Sequence, residues 1–295
     1  MTAEGALEPE LPVVDAHHHL WQEERAHQPR ARYGRSEFQR DLASGHRVTS
    51  TVFVECGTRY RTTGPDALRP VGETEWVRSQ QGDDGICAGH VGHANLFLGA
   101  EVGAVLDAHL CAGGNAFKGV RHIVAWDSNP AVYRPAINAP ARALADPMFQ
   151  AGAAELVGRG LIFETWLYFP QLADVVVLAQ ELPDLTIVID HLGGPVCVGP
   201  YANDRSAMLH EWRRQIAMLA PYPNVYLKLG GIGFHPFLDP TLLTVPRSSA
   251  SLAKYWRTEF LYCIEVLTPQ RCMFESNFPV DGRLADYVVL WNAYT

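Results

Sequence analysis

The chain has 295 residues, of which 47% are hydrophobic and 19% charged. That is enough apolar material for a large core and excludes general disorder. With 24 basic against 32 acidic residues the net charge is -8, which argues against a general nucleic-acid partner, because phosphate binding needs a basic surface.

No run of about 18 apolar residues is present, so neither a spanning helix nor a membrane partner is expected. Residues 1–10 are acidic and lack the apolar stretch of a secretory signal. Cys56, Cys87, Cys111, Cys197, Cys263 and Cys272 form no CxxC pair and read as reduced thiols, the pattern of a cytoplasmic protein.

In chain order, apolar runs at 11–16, 49–55, 86–93, 117–124, 161–168, 185–191, 224–229 and 271–278 predict eight strands. Some are almost continuous, such as LTIVID at 185–190, as suits strands covered on both faces. Helices are predicted between many of them, at 101–112, 146–159, 171–181, 206–220 and 251–267. The second of these opens with Asp146 as cap and Pro147 in the first turn. The alternation predicts a single (β/α)8 TIM-barrel domain over 1–295, with a doubly wound open sheet as the alternative. Residues 60–84 are long and polar and read as either a βα excursion or a lid. The last helix is expected to be truncated.

Chemistry in such barrels sits at the carboxyl ends of the strands, and polar residues recur there. They are His17 and His19, then Glu55, then His90 and His93, then Arg121 and His122. Glu164 and Tyr168, Asp190 and His191, Lys228, and finally Glu275, Asn277 and Asp281 complete the series. Strand alternation turns His17 and His19 to one face and His18 to the other. Two such imidazoles can hold a divalent ion or form a hydrogen-bonded polar cluster. His191 can meet them across the mouth or serve as a structural histidine. Arg121 can orient a substrate carboxylate or pair with a protein carboxylate. Lys228 has the same two readings. Trp166 and Tyr168 can wall a ring-shaped substrate or belong to the core. Glu55, Glu164 and Glu275 are candidate bases or salt-bridge partners. No GxGxxG after a strand, Walker loop or GxSxG elbow is present, and the glycines at 230, 231 and 233 lack a clear helix start for a phosphate.

Six stretches taken in order resemble the amidohydrolase superfamily. They are VDAHHHLW (14–21), GVRHIVAWD (119–127), FETWLYFPQL (163–172), IVIDHLGGP (187–195), NVYLKLGG (224–231) and RCMFESNFPVD (271–281). The similarity is to the "amidohydrolase 2" branch of TIM-barrel metal-dependent hydrolases. That branch includes 2-pyrone-4,6-dicarboxylate lactonase, 4-sulfomuconolactone hydrolase and sugar lactonases. The resemblance implies that His17 and His19 are the first-strand pair, His191 the sixth-strand histidine and Arg121 a substrate-facing arginine. The acid that relatives carry after the eighth strand, where it activates water and can touch the metal, is matched here by Asn277. Asparagine is no base and a poor zinc ligand. The resemblance therefore leaves open whether zinc or manganese is used, and leaves the base to Glu275, Asp281 or Glu55.

The expected function is opening of a small lactone by an activated water, with His17, His19 and His191 holding a divalent ion or binding the carbonyl and the water directly, and with Tyr168, Glu164 and Lys228 beside Arg121 at the substrate. A zinc-dependent decarboxylase of an aromatic acid and a non-catalytic barrel are the alternatives. The expected partner is a small-molecule substrate, and association into a homo-oligomer is left open.

Overall fold

The computed structural model describes residues 4–132, 139–245 and 247–295. Eight parallel strands pair in sequence order. They are β1 (Pro12–His18), β2 (Arg47–Val54), β3 (Gly89–Gly92), β4 (Phe117–Arg121), β5 (Ile162–Thr165), β6 (Ile187–Ile189), β7 (Val225–Leu229) and β8 (Cys272–Phe274). Beyond the end of β8 the chain returns to β1 and draws the sheet round. The Asn277 N–H donates to the His17 carbonyl and the His19 N–H to the Phe278 carbonyl, each at 2.8 Å. The architecture is a (β/α)8 barrel, the connectivity that right-handed βα units produce when they close on themselves.

The helices are α1 (Arg35–Leu42), α2 (Val71–Gln80), α3 (Val102–Gly113), α4 (Pro147–Val157), α5 (Leu172–Glu181), α6 (Arg205–Ala217), α7 (Ser249–Leu267) and α8 (Tyr287–Tyr294). α4 starts as its sequence dictates, with the Asp146 carboxylate accepting from the Met148 and Phe149 amides and Pro147 in the first turn. Two helices differ from the sequence expectation. The polar stretch 60–84 is a βα connection that leads into α2, a helix the sequence reading did not assign. α1 buries only Phe38 among its eight residues, so no apolar stripe announces it.

The core lies between strands and helices. Outward-facing Phe163, Ile187, Ile189, Leu227 and Leu229 pack in one cluster with Leu172, Leu178 and Trp212 from the helical ring. One segment, Leu96–Ala116, is long and apolar enough to cross a bilayer by length and composition, against the expectation of none. It includes α3, whose Val102, Val105 and Leu106 belong to that same apolar cluster.

From β3 to β8 the strands are shorter than their apolar runs. β5 stops at Thr165, β6 at Ile189 and β8 at Phe274, while the runs continue to 168, 191 and 278. The excess residues are buried loops: Trp166, Tyr168, His191, Glu275 and Asn277 are all less than a tenth exposed. Apolarity reports burial, and these loops are buried over the barrel end.

Candidate functional site

Strand alternation places His17 and His19 together as expected, with their Nε2 atoms 3.2 Å apart. His18 points the other way, stacked on Phe38 with ring centroids 4.1 Å apart and bonded through Nε2 to the Thr51 hydroxyl. At β4, Arg121 turns inward, and His122 turns outward to accept from the Leu96 amide.

Beneath the barrel mouth lies a buried ionic layer. His17 Nδ1 is 2.9 Å from Glu275 Oε2, 3.4 Å from Asp190 Oδ1 and 3.6 Å from Glu164 Oε1. Lys228 Nζ stands in the same corner, 2.7 Å from Glu164 and 3.4 Å from Asp190. Arg121 pairs with Glu55 at 2.9 Å and Asp190 at 3.2 Å. Burial opposes ionisation of Asp190, but Lys228 and His17 hold it well below the usual carboxylate range. Glu164 moves the opposite way, pushed well above that range by burial and by the charge on Asp190.

The tautomers follow from the partners. His19 Nδ1 is 2.7 Å from the Val54 carbonyl, so it carries the proton and donates, leaving the Nε2 lone pair free. His17 Nδ1 faces three carboxylate oxygens and also Lys228 Nζ at 3.2 Å; the shortest contact, 2.9 Å to Glu275, assigns the proton to Nδ1 and leaves Nε2 a lone pair. Burial pushes both imidazoles below their ordinary value, with Lys228 adding to the effect on His17. Two lone pairs thus face each other at 3.2 Å, with one Arg121 N–H at 3.4 Å from His17 Nε2. That donor set fits a divalent cation. His17, Asp190 and His191 also bring ligand atoms within 4.8 Å of one another, but the Asp190 oxygens already face Arg121 and Lys228.

His191 follows β6, where a regular strand would turn it away from Asp190. Left-handed backbone at His191 (φ 54°) and Leu192 (φ 56°) breaks the alternation and brings the His191 side chain into the site beside Asp190. His191 Nδ1 bonds Glu275 Oε1 at 2.8 Å, and that oxygen also accepts the His191 amide. Burial works against a charged His191, but Glu275 outweighs it and raises the imidazole above its ordinary value. The glycines after β7 explain themselves here. A Cβ on Gly231 would lie 2.1 Å from His191 Nδ1, and one on Gly230 2.5 Å from the Glu275 side chain. They make room for the His191–Glu275 pair rather than for a phosphate.

Asn277 donates from Nδ2 to Asp281 Oδ1 at 2.8 Å. Its amide oxygen is thereby left to face away from that carboxylate. Asp281 is buried, and burial pushes its carboxyl up to about 7.

Above this layer a cavity of about 320 Å³ opens, lined by His19, Arg121, Trp166, His191, Phe234 and Asn277, with His27, Gln28, His235 and Arg283 also contributing. The sequence candidates divide accordingly. His19, His191, Arg121 and Asn277 line the cavity. His17, Glu55, Glu164, Lys228, Glu275 and Asp281 do not. Arg121 is held by Glu55 and Asp190, so its charge is already engaged. Tyr168 differs from expectation: its ring is fully buried, its hydroxyl donates to the Val132 carbonyl at 3.2 Å, and Trp166 forms the wall instead. His90 is buried against Phe117, and His93 bonds the Arg121 carbonyl, so neither enters the cavity. Sequence reasoning placed Asp190 beside His191 at a strand end but gave it no role in the site. Phe234, His235, Arg283 and His27 sit on irregular connections and carried none. A second cavity, about 260 Å³ between α7 and α8, is mainly apolar and has no histidine or carboxylate side chain in its wall.

The family model described as amidohydrolase matches residues 14–295. An uncharacterized protein, y4mH, of Sinorhizobium fredii is 27% identical over 302 aligned positions, covering 97% of this chain and 91% of that protein. Among solved structures, a zinc-bound amidohydrolase from Burkholderia multivorans superposes with a TM-score of 0.69 at 22% identity, covering 96% of this chain and 92% of that one. A putative 2-pyrone-4,6-dicarboxylic acid hydrolase from Pseudomonas putida gives 0.59 at 16%, covering 95% and 88%. The 5-carboxyvanillate decarboxylase of Sphingomonas paucimobilis gives 0.55 at 12%, covering 95% and 92%.

Proposed function

The chain belongs to the amidohydrolase family, and from that premise we propose that it is a cytoplasmic hydrolase that opens a small lactone by attack of water on the ring carbonyl. The observation that carries the reading is the His191–Glu275 pair at the floor of the cavity. With Nδ1 tied to Glu275 at 2.8 Å, the other ring nitrogen, Nε2, is the one left for chemistry. An imidazole oriented by a buried carboxylate takes a proton from water and returns it to a leaving oxygen. Glu275 stays ionised beside the imidazolium so formed; its carboxyl is held far below the usual range, because His191 and His17 outweigh the cost of burial.

Asn277, its amide fixed by Asp281, presents an acceptor oxygen that orients the attacking water. Trp166 and Phe234 pack against a flat ring. Their size and the cavity volume of about 320 Å³ suit a small cyclic ester, at the small end of ligand pockets. The Nε2 atoms of His17 and His19 would hold the divalent ion, zinc or manganese. When bound, that ion supplies Lewis acidity at the cavity floor. The six unpaired cysteines support the cytoplasmic setting.

The test is acid release from a panel of small lactones, followed with a pH indicator. His191→Ala is expected to lower kcat/KM on the best lactone by about 100-fold or more. An unchanged rate would remove His191 from the proton-transfer role. Release of CO2 from aromatic acids, with no lactone opened, would make the protein a decarboxylase instead.

A further inference from the structure

Glu73 lies in the first turn of α2, outside the cavity wall, and is buried. Its Oε1 accepts two backbone amides, Cys56 N–H at 3.0 Å and Thr58 N–H at 2.9 Å. These amides flank Gly57, whose φ of 74° makes the turn that follows β2. Glu55 opens that turn and holds Arg121 twice. Its Oε1 accepts from Nε at 2.9 Å, and its backbone carbonyl accepts from Nη2. Arg121 in turn lines the cavity. A chain of direct contacts therefore runs from α2 through the turn to the cavity wall. Support of this kind is what locks a site side chain in one place. The loop after β1 ties the same turn at other atoms: Arg25 donates to the Cys56 carbonyl at 3.0 Å, and the Thr58 hydroxyl to Glu23 at 2.7 Å.

We propose that Glu73 is a positioning residue for Arg121: through the two amides it sets the grip of Glu55, and with it where the guanidinium stands in the cavity wall. The other Glu73 oxygen, Oε2, is buried with no hydrogen-bond partner among the described residues. A bare buried carboxylate oxygen is costly to charge. Burial, together with the charge on Glu55, pushes the Glu73 carboxyl up to about 8. The titratable and charged groups that face it are Glu55 and Cys56 after β2, Tyr60 beyond the turn, Arg25 from the loop after β1 and Arg121 from β4. At neutral pH Glu73 is an uncharged acceptor, and Glu55 keeps its hold on Arg121 without a rival. Above about pH 8 a second carboxylate charge stands beside Glu55 and competes for the same guanidinium. This inference rests on the cavity being the substrate site and not on the lactone reaction.

The test is the Arg121 Nε–H resonance in the NMR spectrum of protein carrying isotope-labelled arginine, assigned by its loss in Arg121→Lys. Glu73→Ala frees both amides and should speed solvent exchange of that N–H about tenfold or more at one pH, with the other arginine signals in place. Glu73→Gln keeps an acceptor oxygen for both amides and should keep the wild-type exchange. The wild-type resonance should shift with a midpoint near pH 8, and the Glu73→Gln resonance should not. Wild-type exchange in Glu73→Ala overturns the assignment, as does a rise of about tenfold in Glu73→Gln or a wild-type resonance that does not titrate. Far-ultraviolet circular dichroism checks folding, and if Glu73→Ala fails to fold, Glu73→Gln and the wild-type titration decide the matter. The resonance needs no turnover, so a lactone screen that fails while these signals behave as expected counts against the proposed reaction alone.

Discussion

The strands bury two layers of opposite chemistry. On the outside, Phe163, Ile187, Ile189 and Leu227 pack against the helices with no exposure at all. On the inside, at the carboxyl end, His17, Glu164, Asp190, Lys228 and Glu275 are buried almost as completely. The barrel interior of this fold is ordinarily filled by branched apolar side chains. Burying an ion costs several kcal/mol after relaxation, and a buried ion pair is often no better than an apolar replacement. The outer layer needs no explanation beyond the hydrophobic effect. The inner layer is expensive for stability, and its geometry places a histidine, an amide and an engaged arginine under one cavity. The contrast marks the inner layer as the part of the molecule built for chemistry.

The comparison breaks most sharply at Lys228. Lys228→Met leaves Asp190 and Glu164 buried without their ammonium, and a loss of about 3–5 kcal/mol is expected, read by denaturant unfolding. A loss under about 1 kcal/mol would show that the ionic layer is not held by that charge.

A pH dependence sharpens it next. The Asp281 carboxyl is raised in the folded state to about 7 from an ordinary 3.8. A raised carboxyl pKa means that the folded chain keeps a proton which the unfolded chain releases. Its contribution to stability is therefore greatest below about pH 4 and falls as pH rises to about 7. Asp281→Asn removes that dependence. Relative to wild type, the variant should gain about 4 kcal/mol between pH 4 and pH 8, measured by unfolding at both values. Parallel wild-type and variant curves would show that Asp281 ionises normally.

The smallest effect belongs to the outer layer. Ile189→Val deletes one methylene group from an interior that is apolar on all sides, and should cost about 1 kcal/mol with no change in pH dependence. A cost several times larger would mean that the outer layer, too, is tuned to the site through β6.

Much of the site was legible because alternation and burial are local. HxH at the end of the first strand predicts two imidazoles on one face, and 3.2 Å between their Nε2 atoms is what that face provides. The apolar runs located all eight strands but overran the ends of most of them, since a buried loop is as apolar as a buried strand. Other features had no local signal. His191 faces the site only because the backbone turns left-handed there, a conformation that its sequence position does not require. Tyr168 and Trp166 were equally good wall candidates by pattern, and packing against Val132 removed Tyr168.

The sequence by itself determined the strand–helix alternation, the polar strand ends and the ordered motifs, because each depends on residues a few positions apart. The tertiary structure alone decided which charges cancel. Glu275 is 84 positions from His191, and Asp190 is 69 from Arg121, and no periodicity links residues so far apart. Only closure of the barrel pairs Arg121 and Lys228 with buried carboxylates and ties Glu275 to two histidines.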